Sequence, residues 1–305
     1  MKISILIPTH NYAPVNLVKA LDEQCRRILL NDKGFDFEII VADDASSDAE
    51  ILKALHENFD TNEKVRIKAF SENQGRAAIR NRLAEMAESE VILFSDSDAM
   101  PYDDDFVYSM LIHSGDADVI CPVLRNPSGF NPTGKELRYR YEMKAEQEGK
   151  RTAGFCNKSP YDRFATFCFL TKKSVMLQNM LNETLTRYGY EDVLLGKSFE
   201  RSHISVKYVD VPLIHTGIND SRTFLRNTEH AMHNLAALQK QVSFYSPIAE
   251  TYERLRKFRI NGLFRATFCI FKPLIVKNLL GHHPNLTLFN VYKLGIYAEC
   301  VRKVQ

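Results

Sequence analysis

Four short strand-like runs, each followed by a stretch of helical spacing, constrain what the first hundred residues can fold into. Ile3 to Ile7, Phe37 to Ala42 and Val91 to Ser95 are rich in β-branched and aromatic residues and end at Pro or Asp, while Val65 to Phe70 alternates apolar and basic residues as a half-exposed strand would. Between them Leu17, Leu21, Cys25 and Ile28, then Ile51, Leu52 and Leu55, then Ile79, Leu83 and Met86 fall on single helical faces. Pro14 suits the opening of the first helix, and Ser46, Ser47 and Asp48 can cap the second. The order β-α-β-α-β-α-β calls for a mostly parallel sheet flanked by helices. Sheets of that kind bind ligands outside the carboxyl ends of their strands.

Polar residues of distinctive type stand at those ends. The fourth run stops at Asp96-Ser-Asp98, followed by Pro101, which no strand interior would accept. Side chains at i and i+2 of an extended segment point the same way, so Asp96 and Asp98 can face one site. Two adjacent carboxylates repel unless a cation or donors stand between them, and a hard divalent cation carrying substrate phosphates would do so. Asp43 and Asp44 end the second run and would reach the same edge, where a carboxylate can accept from a base N–H or a ribose hydroxyl. Arg76 and Arg80 lie one turn apart on a helix face, suited to a diphosphate or a base. His215 ends the run Val211 to His215, and an imidazole beside a carboxylate-bound Mn²⁺ is chemically apt. Glu191 and Asp192 open a helix after Gly189, as dipole compensation or as a catalytic carboxylate. Each feature also has a purely structural counterpart: an acidic turn, a helix cap, a solvated face, a core histidine.

Further along, the spacing predicts a helix over 106–112, a strand over 119–124, a charged helix over 137–148, an apolar strand over 164–170 and a helix over 173–181. Leu195 and Phe199 belong to the helix after Asp192, and 206–211 and 213–215 read as two short strands. From Arg222 onward helix follows helix. The expected division is therefore a catalytic domain over 1–220, with halves at about 1–100 and 101–220, and a helical region over 221–305.

Composition narrows the function classes. With 305 residues, 45% hydrophobic, 26% charged and a net charge of +2, the chain reads as an ordinary globular protein with no bias toward nucleic acid. Its six cysteines show no metal-ligand or disulfide spacing, which suits free thiols and a cytoplasmic location. The first strand lacks the Gly-x-Gly-x-x-Gly of a dinucleotide site. Gly129 to Lys135 mimics a phosphate loop, but Glu136 occupies the hydroxyl position and Pro132 removes a donor, so a surface loop is expected. No signal peptide is expected, and Arg265, Lys272, Pro273 and Lys277 break the most apolar late region below a membrane span.

Taken together these motifs resemble family-2 glycosyltransferases. Pro8-Thr9-His10-Asn11 is similar to their Pro-Thr/Ser-x-Asn opening, and Val41 to Asp48 to their Val-x-Asp-Asp-x-Ser-x-Asp. Asn73 to Gly75 with Arg80-Asn81 resembles the Asn-x-Gly…Arg-Asn helix, Ser95 to Asp98 the Asp-x-Asp, and Gly189 to Asp192 the Glu-Asp motif. The resemblance covers residues 1 to about 218. It implies a GT-A fold, a nucleotide-sugar donor, Mn²⁺ or Mg²⁺, and inversion at the anomeric carbon. It places Asp44 on the nucleobase, Asp96 near the ribose, Asp98 with Asp96 and His215 at the metal, and Asp192 as base with Glu191 beside it. Pro8, Thr9, Asn11, Arg76 and Arg80 complete the donor-binding set. The Gln-x-x-Arg-Trp motif of processive synthases is missing, and the chain has no Trp, so single-sugar transfer to a glycan or lipid-linked acceptor of surface polysaccharide synthesis is expected. The rival expectation is a catalytically silent nucleotide- or glycan-binding protein on the same fold. A nucleotidyltransferase would show a Gly-rich loop after the first strand instead.

From Thr251 to the end, ten Lys and Arg face only Glu253 and Glu299, a net +8. Phe258, Leu263, Phe264, Phe268, Phe271, Leu274 and Ile275 are interleaved with them, as in basic interfacial helices. An anionic membrane surface, on the inner face of the membrane, is one expected partner; packing within the protein is the other.

Overall fold

The computed structural model describes residues 1–185, 188–238 and 246–304, so of the basic tail Lys303 has its side chain outside the described residues. The elements in chain order are β1 (Lys2–Thr9), α1 (Val15–Asn31), β2 (Asp36–Asp43), α2 (Ala49–Phe59), β3 (Val65–Ala69), α3 (Arg76–Met86) and β4 (Val91–Ser95). Next come β5 (Ala99–Pro101), α4 (Phe106–Ile112), β6 (Val119–Arg125), α5 (Glu136–Gln147), α6 (Ala153–Cys156), α7 (Pro160–Arg163), β7 (Cys168–Lys172), α8 (Lys173–Gln178), α9 (Glu191–Arg201) and β8 (Val206–His215). The described chain closes with α10 (Ser221–Ala237), α11 (Pro247–Lys257), α12 (Asn261–Leu279) and α13 (Leu286–Val304).

The strands form one sheet in the order β3-β2-β1-β4-β7-β6-β8-β5. Pairs among β1 to β4 are parallel, β6 and β8 are parallel, and β7 and β5 run antiparallel to their neighbours. Period-two alternation explains why the central strands read as unbroken apolar runs. Ile3, Ile5 and Ile7 enter a core with Leu17, Leu21 and Cys25 of α1 and Phe106 and Met110 of α4. Leu6, Ile40 and Phe94 point the other way, against Ile79 and Leu83 of α3 and Leu195 and Phe199 of α9. Each such side chain, fully buried, contributes about 1.5–3 kcal/mol. Polar side chains are therefore confined to strand tips, where the packing helices no longer cover them.

Four boundaries differ from expectation, one being α8, which ends at Gln178 rather than at 181. The two late strands are one, β8, with Pro212 inside it and its register against β6 shifted between Cys121 and Val123. An irregularity of this kind is how a ladder tolerates proline. Pro101 ends a three-residue strand, β5, at the sheet edge, where a missing donor costs no ladder bond. Phe164 caps the short α7, and β7 begins only at Cys168.

The chain divides into two compact units: Met1–Pro127 with Gly149–Thr186 and Glu191–Gly217, and Ser128–Glu148 with Arg187–Tyr190 and Ile218–Gln305. The first holds the sheet. The second holds α5 and α10 to α13, so α5 and the 188–190 loop group with the late helices although they lie earlier in sequence. Tyr141, Phe224 and Phe289 meet within it at ring separations of 5.3 to 5.8 Å. Asp220 caps α10, its carboxylate accepting from the Arg222 and Thr223 amides at 3.0 and 2.9 Å.

Candidate active site

The carboxyl tips of β1 and β2 are in register to the last residue, Thr9 beside Asp43. The Asp44 amide continues the ladder by donating to the Thr9 carbonyl at 2.8 Å. Its carboxylate, buried, accepts from the Gln74 amide at 2.6 Å and the Gly75 amide at 3.0 Å. Gly75, at φ 85°, is the N-cap of α3, so Asp44 satisfies donors just ahead of that helix and fixes its start. Each carboxylate oxygen keeps acceptor capacity for a ligand. Asn73 Nδ2 donates to the Asp44 carbonyl at 3.0 Å, a contact the sequence reading did not single out.

The opening motif braces this corner mainly through backbone. Pro8 is buried in β1, two residues beyond the end of its ladder with β4 at Leu6 and Phe94. The Thr9 hydroxyl donates to the Tyr12 carbonyl. Asn11, exposed and at φ 54°, donates its amide to Ser46 Oγ at 2.7 Å and accepts the Ser47 amide at 2.8 Å. Asn11 tolerates the left-handed region better than most residues, and the two bonds couple the loops after β1 and β2.

Along α3 the arginines take partners within the unit. Arg80 is 3% exposed and donates to Asp96 and, at 2.8 Å, to the Arg76 carbonyl. The Arg80 guanidinium thus holds Asp96 here, while its buried Nε has no hydrogen-bond partner among the described residues. Arg76 donates from Nε to Glu191 Oε1 at 2.8 Å and lies 3.7 Å from Asp96 Oδ2. Glu191, Arg76, Asp96 and Arg80 thus form one ionic chain from the start of α9 through α3 to the tip of β4.

Asp98 stands apart from that chain. Pairing of β5 with β8 sets Ala99 opposite His215, which brings His215 Nε2 to 3.3 Å from Asp98 Oδ2. The Asp98 carbonyl accepts from Thr216 N at 2.8 Å and Oγ1 at 2.7 Å. Gly217 lies against the Asp98 carboxylate, and a Cβ there would overlap it. Thr216 and Gly217 are site residues that carry no sequence signal beyond following His215.

An oxygen and a nitrogen 3.3 Å apart match neighbouring donors on an octahedral cation, which at 2.0–2.1 Å per bond sit about 3 Å from each other. Among the described residues no group of three or more His, Cys, Asp or Glu could hold a metal ion. Asp98 and His215 alone would supply two donors to a cation, with its remaining positions left to phosphate and water, as a Mg²⁺ site commonly has. Asp96, also expected at the metal, is here paired with Arg80 and Arg76.

Glu191 and Asp192 occupy the first turn of α9. Glu191 is buried, and its Oε2 has no hydrogen-bond partner among the described residues. Asp192 accepts from the Val193 amide at 2.8 Å. Burial and then the Glu191 charge push its carboxyl up to about 6, against which Arg76 acts only in part.

The chain is similar to known proteins. The model of the family described as glycosyl transferase family 2 matches residues 4–176. EpsH of Bacillus subtilis (strain 168), named as a candidate glycosyltransferase, is 28% identical over 273 residues, covering 84% of this chain and 72% of EpsH. Two solved structures share the fold. The mannosyltransferase PcManGT of Pyrobaculum calidifontis, with GDP-Man and Mn²⁺, has a TM-score of 0.59 at 14% identity, over 99% of this chain and 88% of that one. S. aureus TarS (residues 1–349) with UDP has a TM-score of 0.52 at 17% identity, over 100% and 92%. The sheet is accordingly of the GT-A type with a helical C-terminal region, and the chain belongs to glycosyltransferase family 2.

Proposed function

We propose that the chain is an inverting glycosyltransferase that moves one sugar from a nucleotide-sugar donor to a hydroxyl of a glycan or lipid-linked acceptor in cell-surface polysaccharide synthesis. The observation that carries this reading is a division of labour among acids. Asp96 is neutralised by arginines, Asp98 is left with an imidazole, and Asp192 is held as a carboxyl of raised pKa. The donor side would be formed by the Pro8–Asn11 loop, Asp44, Arg76 and Asp96, with Arg80 positioning Asp96. On the acceptor side, Asp192 would take the proton of the attacking hydroxyl as the bond to the anomeric carbon forms. Glu191, tied to Arg76, would hold Asp192 at the helix start. A cation bound by Asp98 and His215 would supply Lewis-acid stabilisation of the departing nucleoside diphosphate. TarS, solved with UDP and UDP-GlcNAc, and PcManGT, solved with GDP-Man and Mn²⁺, support a nucleotide-sugar donor and a divalent ion.

The test is a thermal-shift and turnover screen against nucleotide-sugars with and without Mn²⁺. Asp98→Ala should remove the metal-dependent part of donor binding. Unchanged donor affinity and turnover in that variant with EDTA present overturns the metal assignment. Donor binding with no turnover on any acceptor would instead mark a silent binding protein.

The second unit supports a surface role as well. No described helix is long and apolar enough to cross a membrane. In α12, Phe268, Ile275 and Leu279 are buried, with Phe268 against Gly295 of α13. Leu263, Ile270 and Leu274 share an arc of about 40° at 100° per residue and are 63 to 73% exposed. From Arg254 to Ala298 the chain has eight Lys and Arg and no Asp or Glu. An apolar stripe in a predominantly basic setting, in which Glu299 pairs with Lys272 and Glu253 with Arg256, matches an anionic lipid surface, on which α12 would lie.

A further inference from the structure

The second unit contains a cavity of about 260 Å³ that the donor and metal residues leave unused. Its walls include Tyr141 of α5, Tyr188 and Tyr190 of the 188–190 loop, Phe224 of α10, and Phe289 and Lys293 of α13. Asn227 and Thr228 add polar groups on one side. We propose that this cavity binds a single glycosyl unit bearing an anionic group, with the aromatic rings against the sugar faces and Lys293 on the charge.

Lys293 is the reason for the charge. Its Nζ lies 4.8 Å from the Phe289 ring centroid and 5.5 Å from that of Tyr141. Among the described residues it has no carboxylate partner, whereas the other cation of the cavity, Arg138, is paired with Glu142. A desolvated ammonium without a counter-charge is costly, and burial accordingly pushes it down to about 8. An anion brought by a ligand would remove that cost. The size argues for one ring, since the volume falls below the usual range of about 300–1,000 Å³ for drug-sized ligands. The aromatic walls match the apolar C–H faces of a pyranose, and Asn227 and Thr228 its hydroxyls.

The loop that carries two of the rings is built to hold them. Gly189, at φ 101°, passes so close to α10 that a Cβ would come within 2.7 Å of Ala231 Cβ. Asn234 Nδ2 donates to the Gly189 carbonyl at 2.7 Å. Tyr190 takes φ 72°, a conformation that costs a bulky residue about 1 kcal/mol or more. Tyr190 is joined in the chain directly to Glu191 and so to the proposed base. That the bound unit belongs to the acceptor rests on the transfer reading above.

The experiment is lysine acylation of the intact protein at pH 8, read by peptide mass spectrometry, with and without glucuronate, glucose 1-phosphate, methyl glucoside and inorganic phosphate. At saturation glucuronate or glucose 1-phosphate should lower labelling at Lys293 at least fivefold, while methyl glucoside and inorganic phosphate should not. Protection by only one of the two anionic sugars identifies carboxylate or phosphate as the recognised group. Equal labelling throughout overturns the site, and equal protection by inorganic phosphate overturns its preference for a sugar. Lys293→Met should weaken the protecting sugar more than tenfold without lowering the melting temperature, and Lys293→Arg should restore binding in part. Unchanged sugar affinity in folded Lys293→Met also overturns the proposal. Mn²⁺-dependent nucleotide binding is measured on the same preparation. Its absence alongside Lys293 protection counts against the donor reading and leaves the cavity site standing, and the reverse result does the opposite.

Discussion

Asp192 is where a single residue's environment bears most directly on rate. Its carboxyl is raised from 3.8 to about 6, so the folded protein favours the protonated form. In the proposed role of base it must be ionised, and kcat/KM should then rise about tenfold per pH unit below 6 and level off above it. Asp192→Asn keeps the shape and loses the basicity, so turnover should fall by roughly 10²-fold or more with donor binding retained. The sign for stability is opposite. A carboxyl raised on folding destabilises the fold progressively from about pH 4 to 6 and fully above that. Asp192→Asn should therefore melt higher than wild type at pH 7.5 and equally at pH 4. Near-normal turnover in this variant, together with loss in Glu191→Gln, would exchange the two roles. Gly217 matters for a steric reason: Gly217→Ala must push the Asp98 carboxylate aside, which should weaken Mn²⁺-dependent donor binding by about 10- to 100-fold.

Among elements, the chain Glu191–Arg76–Asp96–Arg80 joins α9, α3 and β4. Asp44 fixes the start of α3, so the residues proposed for the donor and for the base share one helix as their reference frame. Arg80 is the buried member. Arg80→Leu leaves Asp96 a poorly compensated charge and should cost about 3 kcal/mol of stability by denaturant titration. A loss under 1 kcal/mol would show that solvent already carries the Asp96 charge. Arg76 is half exposed, and its ion pairs are correspondingly screened.

For the molecule as a whole, the measurable claim concerns the outer stripe of α12. The chain should float with anionic liposomes, release in high salt, and lose binding when Leu263, Ile270 and Leu274 are all changed to Glu. Because these side chains are exposed, the triple variant should fold normally. Failure to float at low salt would assign the stripe to protein contact instead. Short-range electrostatics accounts for the salt sensitivity, since the attraction of Lys and Arg to lipid fades within a screening length of about 8 Å at physiological salt.

The apolar runs of β1, β2 and β4 determined the parallel core by themselves, because both faces of those strands are buried, while β3 at the edge is largely exposed. Asp96-Ser-Asp98 and Glu191-Asp192 stand out in sequence as acidic pairs at a strand end and a helix start, although a turn or a helix cap uses the same residue types. Their partners do not. Arg76 and Arg80 look alike in sequence, yet tertiary packing buries one on Asp96 and leaves the other half exposed toward Glu191, 115 positions away. The place of Asp98 depends on β5, three residues long, whose edge pairing carries His215 and Gly217 to it across more than a hundred residues. The Lys293 cavity unites α5, α10, α13 and the 188–190 loop, which no local spacing links. Periodicity and end residues are local and survive in sequence; charge compensation, close approach and cavity walls arise between distant segments, so only the tertiary structure decided them.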